Sequence, residues 1–225
     1  MVLLRKHRLL FVKGSKVAGT SIEVFLSGLA EAVDIVTPII PPSPLHQPRN
    51  HLAADGSPRF YNHIDAVTAK ARLGADYFDG LRRFGVVREP FEKVRSMFAM
   101  QYVRTGGAYD VDRAIADTWS EADKYCDAQG QWLLTDVLRY ENLHEELRRF
   151  FTGVGIAFDH LAVREKSDYK QRCPVEVVFD EGQRERIREK FSWEFENFYA
   201  CEPQALSQDA PAKAEVDRGK DGLVK

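Results

Sequence analysis

A chain of 225 residues, 44% of them hydrophobic, is long enough to bury one good-sized core and too short for a string of domains. Its formal net charge of −2 supplies no basic field of the kind that draws nucleic acid, and no apolar run approaches the ~18 residues a membrane span requires. Three cysteines (Cys126, Cys173, Cys201) stand far apart without a CxxC or His/Cys partner, which argues against a zinc site or a disulfide framework and suits a reducing, cytoplasmic compartment.

The first residues, MVLLRKHRLLFVKG, pair short apolar runs with a basic cluster and lead into a glycine turn instead of a cleavage site, so they are not read as a signal sequence. Leu9–Val12 reads as a strand. After the turn, Ile22, Phe25, Leu26 and Leu29 recur at i, i+3, i+4 and i+7, the pattern of a helix with one buried face. Strand, glycine turn and helix present unpaired backbone N–H groups and a helix dipole to an anion. The spacing Gly14-x4-Gly19 imitates the nucleotide-triphosphatase loop GxxxxGK[ST], but Thr20 stands where that loop needs lysine, and the lysine is Lys16.

Residues 37–59 contain six prolines and one glycine and read as an irregular excursion, a candidate lid over an acceptor. A short strand is expected at Tyr61–Ile64, a helix at Thr68–Leu73 closed by Gly74, and a buried strand at Phe84–Val87. Pro90 then opens a helix whose buried face carries Phe91, Val94 and Phe98. Residues 110–135 read as helical, with Trp119 and Trp132 as core or groove residues. Val137–Tyr140 reads as a strand, and Asn142 as the N-cap of a helix through Phe151. From Gln204 the chain is polar and lacks aromatics, so residues 1–203 are taken as one domain and 204–225 as a disordered tail. Alternating strands and helices predict an α/β fold around a central, mainly parallel sheet flanked by helices.

Two segments carry a resemblance. KVAGTS (residues 16–21) before a hydrophobic helix, and FGVVREPFEKVRSMF (residues 84–98) with Arg88, Glu89, Pro90 and Ser96 at set offsets, resemble the two phosphate-binding segments of sulfotransferases that use 3′-phosphoadenosine 5′-phosphosulfate (PAPS). The likeness is to the carbohydrate-type and bacterial branch. Weaker likenesses at Leu138–Phe151 and Glu181–Tyr199 extend it over most of residues 8–199. The resemblance implies a three-layer, P-loop-NTPase-like fold. It also implies that Lys16, Val17, Ala18, Gly19, Thr20 and Ser21 hold the 5′-phosphosulfate, and that Arg88 and Ser96 hold the 3′-phosphate. Arg164, with Lys166, Tyr169 and Lys170, is similar to the segment that closes over the nucleotide. Ser15 replaces the usual proline and Ala18 the first of two glycines, and a methyl group at 18 would crowd the anion if that residue takes positive φ.

The chemistry needs few parts. A neutral SO₃ unit moves in line to an acceptor oxygen while charge builds on the departing phosphate, where Lys16 and the loop amides would stabilise it. A guanidinium such as Arg88 forks onto phosphate oxygens. The acceptor hydroxyl must lose a proton, and His63 lies in the interval where relatives place a base, with His46 and His51 as substitutes. No metal is required. The expected acceptor is a saccharide or small molecule, the product adenosine 3′,5′-bisphosphate; the sequence leaves oligomeric state open. Two alternatives stand beside this reading: a nucleotide-dependent kinase or NTPase, and a non-catalytic nucleotide-binding module. The first would need a lysine directly after Gly19 and an acidic residue closing a strand to hold Mg²⁺, where this chain has Thr20 and Arg88.

Overall fold

The computed structural model describes residues 1–161 and 169–199, so Arg164, Lys166 and the tail from residue 204 lie outside the described residues. Five strands, β1 (Val2–Leu4), β2 (Leu9–Phe11), β3 (Ile35–Val36), β4 (Arg82–Val87) and β5 (Asp136–Arg139), form one open sheet in the order β3-β1-β2-β4-β5. The pairs β2–β4 and β4–β5 are parallel, whereas β1–β2 and β1–β3 are antiparallel. The fold is α/β, but the expectation of a mainly parallel sheet is corrected: the sheet is mixed. The cause is a hairpin at the start of the chain, where Val2-Leu3-Leu4 turns through Arg5–Arg8 onto β2, closed by the Arg8 N–H donating to the Arg5 carbonyl at 3.0 Å. That turn places Arg8 at φ 48° with no glycine, asparagine or aspartate, so it carries none of the usual hairpin signature.

The described α-helices are α1 (Gly19–Leu29), α2 (Ala66–Leu73), α3 (Ala75–Asp79), α4 (Pro90–Arg104), α5 (Val111–Asp117), α6 (Ala122–Tyr125), α7 (Leu143–Gly153), α8 (Tyr169–Arg172), α9 (Glu181–Lys190) and α10 (Ser192–Glu194), the last continued by a π-helical turn over Phe195–Tyr199. Strand side chains alternate between two faces, as the pleat requires. Leu4, Leu9, Phe11, Phe84 and Val86 pack with Ile22 and Leu26 of α1 and with Leu147, Phe150 and Phe151 of α7. On the other face Leu3, Leu10 and Ile35 meet Ala69 of α2, Phe78 of α3 and Tyr125 of α6. A third cluster, away from the sheet, joins α4, α5 and α9 through Val94, Phe98, Ile115 and Ile187.

Three local expectations are corrected. Tyr61–Ile64 is a turn, not a strand: the Ile64 N–H donates to the Tyr61 carbonyl at 3.2 Å and His63 sits at φ 59°. Residues 110–135 hold only α5 and α6, because α5 ends at Thr118 and the chain then turns to meet α10. Asn142 occupies the cap position of α7 without a side-chain bond; Tyr140–Asn142 form a 3₁₀ turn that leads in instead.

Candidate functional site

The carboxyl ends of β2, β4 and β5 lie side by side, the place where open α/β sheets gather ligands. A cleft of ≈ 2010 Å³ opens there. It exceeds the ~300–1,000 Å³ of a single small-molecule pocket, so it has room for two reactants. Lys16, Val17, Ala18, Gly19, Thr20, Ser21, His63, Arg88 and Ser96 all line it, whereas His46 and His51 do not. Of the proline-rich stretch 37–59, Ile40 alone reaches the cleft; Gln47, Arg49 and Asn50 tie the rest to the end of α1 and the chain that follows it.

The loop after β2 folds tightly. Lys16 and Ala18 both take left-handed backbone, at φ 61° and 58°, and α1 begins at Gly19 with no side-chain cap and no acidic residue in its first turn. Residue 18 therefore meets the condition under which alanine is strained relative to glycine, by about 1 kcal/mol. Gly19 is required by close approach, since a Cβ there would lie 2.6 Å from Lys13 Cγ. Lys13 itself is buried under the loop, its ammonium 2.5 Å from Glu23 Oε2 and 3.1 Å from Asn62 Oδ1. Burial raises the Glu23 carboxyl, but the Met1 amine and Lys13 outweigh it and hold the group down at about 2.

The two segments singled out by sequence meet here. Arg88 Nη1 donates to the Lys16 carbonyl at 3.1 Å, and the guanidinium lies 4.2 Å over the Tyr140 ring. Its Nε is buried without a partner. Glu92 approaches Arg88 at only 3.8 Å, so the local ion pair leaves the guanidinium pointed at the loop. Glu89 caps α4 by accepting from the Glu92 N–H at 2.7 Å, and Pro90 takes the first helical position. From α4, Met100 Sδ lies 3.3 Å from Lys16 Nζ.

His63 is mostly buried beside the loop, its ring edge-on to Trp119 at 5.5 Å and its Nδ1 without a partner. Burial first, then the charge of Lys13, push its pKa down to about 3, so the imidazole is neutral near pH 7. A neutral imidazole can accept a proton, and a bound polyanion would raise its proton affinity. Trp119 is 44% exposed and reaches the cleft, whereas Trp132 stacks on Trp193 at 5.1 Å.

Sequence reasoning missed Lys13, Glu23, Lys93 and Glu121. Lys13 follows the apolar run of β2 and Glu23 lies between Ile22 and Val24 of α1, a charge among apolar residues that could have flagged them; Lys93 and Glu121 carry no such signal. Among the described residues no group of three or more His, Cys, Asp or Glu is arranged to hold a metal ion, and no helix is long and apolar enough to cross a membrane. No family model, curated protein or solved structure matches the chain.

Proposed function

We propose that this chain is a PAPS-dependent sulfotransferase of P-loop-like architecture, acting on a hydroxyl of a saccharide or small molecule in a reducing, cytoplasmic setting. The observation that supports the reading is the contact between Arg88 and the Lys16 carbonyl, which joins two segments 72 residues apart into one wall of the cleft. Neither segment alone is specific. Together they match what a ligand with phosphates at both ends of a nucleoside demands.

In this reading the amides at the start of α1 and the hydroxyls of Thr20 and Ser21 hold the 5′-phosphate, while Arg88 and Ser96 take the 3′-phosphate. The acceptor oxygen attacks sulfur as the bond from sulfur to the bridging oxygen breaks. The electron pair stays on the departing phosphate, where the Lys16 ammonium is within reach, and His63 takes the hydroxyl proton.

Calorimetry with adenosine 3′,5′-bisphosphate tests the proposal. Micromolar binding is expected, weakened about 100-fold in Arg88→Ala by loss of a charge-assisted pair. ATP with Mg²⁺ should bind far more weakly. Preference for ATP with Mg²⁺ would overturn the reading in favour of a kinase or NTPase. Tight binding of the bisphosphate with no transfer to any hydroxyl acceptor would leave a binding module.

A further inference from the structure

Behind the loop, outside the cleft, three ionisable side chains are completely buried: Lys93 of α4, Glu121 at the cap of α6, and Glu194 of α10. The Lys93 ammonium bonds Glu121 Oε2 and the Trp119 carbonyl. Glu194 Oε1 accepts from the Ser120 hydroxyl at 2.8 Å and from the Glu121 N–H. Glu121 Oε1 has no partner at full hydrogen-bond geometry, the Ser15 main chain only approaching it, and it lies 2.9 Å from where a Cβ of Gly14 would stand. The Tyr125 hydroxyl is 2.7 Å from the same point and is fixed by the Val86 main chain at 3.0 and 3.2 Å. Gly14 is therefore glycine because a carboxylate and a phenol press on it from behind.

We propose that Glu121 is a positioning residue of the anion loop: it braces Gly14 and Ser15, the main chain that leads into Lys16, and its charge sets how tightly the loop holds an anion. The inference rests on the loop being an anion site, as in the proposed function. With both carboxyls ionised the cluster carries one ammonium against two carboxylates; with one proton added it is neutral.

A buried carboxylate oxygen without a donor is costly, and a proton relieves it. Burial above all, reinforced by Glu194 and opposed by Lys93 and the Ser15 main chain, pushes the Glu121 carboxyl up to about 7. The groups facing it are Lys93, Glu194, Tyr125 and the Gly14–Ser15 main chain. Near neutrality the charge behind the loop thus switches, and an anion in front of it feels the difference through a poorly screening interior. Linkage makes the effect reciprocal: the neutral form binds an anion more tightly, and a bound anion raises the proton affinity of Glu121.

Inorganic sulfate is the probe, because it does not titrate between pH 6 and 8. Its affinity is read from NMR shifts of the Gly14–Ser21 amides. In the unsubstituted protein it should fall about fivefold or more from pH 6 to pH 8, whereas in Glu121→Gln the fall should be clearly shallower. His63, His144 and His160 line the cleft in both proteins, so the difference between the two pH slopes reports Glu121. Equal slopes with sulfate bound would overturn the role of Glu121 alone; no shift of the loop amides in either protein would overturn the anion site as well. Should the variant not fold, the ¹³C titration of the Glu121 carboxyl decides. Its midpoint should rise when sulfate is added, and a fixed midpoint would overturn the proposal.

Discussion

His63 couples the chemistry of the cleft to the stability of the fold. Its left-handed backbone, at φ 59°, aims the ring at Trp119 and the loop, and the burial that keeps it neutral has a thermodynamic consequence. The folded pKa of about 3 lies below the ordinary value of 6.5, so the unfolded chain binds the extra proton. Stability is complete above pH 6.5 and falls by about 1.4 kcal/mol per pH unit as pH drops toward 3. His63→Asn, which suits left-handed backbone, should remove that slope. Between pH 7 and pH 5, denaturant unfolding should show the unsubstituted protein losing about 2 kcal/mol more than the variant. If the proposed sulfuryl transfer holds, at pH 7 the same variant should lose about 10²–10⁴-fold in it while keeping its affinity for adenosine 3′,5′-bisphosphate. Equal losses in both would make His63 a packing residue.

At the scale of elements, α4, α6 and α10 are held together by charge as well as by apolar contact. Lys93 is the cation that pairs with Glu121 in that junction, and Glu194 accepts from the adjoining Ser120 hydroxyl and Glu121 N–H. Lys93→Met keeps the volume and strands two buried carboxyls, a change expected to cost about 3–5 kcal/mol at pH 8. The sign follows from Glu121, whose folded pKa is raised to about 7 from 4.5, so its folded state binds the extra proton and stability declines as pH rises through that interval. Without Lys93 the carboxyl rises further. The variant should keep losing about 1.4 kcal/mol per pH unit above pH 7, where the unsubstituted protein levels off. Urea unfolding from pH 5.5 to 8.5 checks this, and a pH-independent loss would mean that only packing was removed.

Such junctions explain what sequence could reveal. The strand, loop and helix from Leu9 to Leu29 and the strand and helix from Phe84 to Phe98 were legible because local periodicity and turn chemistry specify them. The break after α5 was not, since Ser120 and Glu121 are fixed by Glu194, 74 positions from Ser120. β1 was hidden for a similar reason: three apolar residues become a strand only when β2 and β3 flank them. In the candidate site, Lys16–Ser21, His63, Arg88 and Ser96 were legible through the resemblance and line the cleft, whereas Met100, Tyr140 and the buried charges outside the cleft were not.

For the whole molecule, the cleft draws on elements that otherwise belong to different cores. The loop of Lys16 and the Tyr140 end of β5 hang from the sheet, whereas Ser96 and Met100 sit on α4, whose apolar face packs in the cluster with α5 and α9. A ligand that bridges Lys16, Arg88 and Ser96 therefore ties the sheet to that second cluster, and its binding energy becomes unfolding energy. At a hundredfold excess over Kd, adenosine 3′,5′-bisphosphate should add about 2.7 kcal/mol. For a chain of this size that corresponds to a rise in Tm of roughly 5–10 °C. Hydrogen exchange should show the new protection in both segments that meet at the cleft, 13–21 and 88–98, at the same ligand concentration. Arg88→Ala should cut the shift to about 1 °C at that concentration, because a roughly 100-fold weaker Kd leaves only about 0.4 kcal/mol. Protection confined to 13–21, or an equal rise in Tm with inorganic pyrophosphate, would mean that the loop binds anions generally and that the second segment takes no part in recognition.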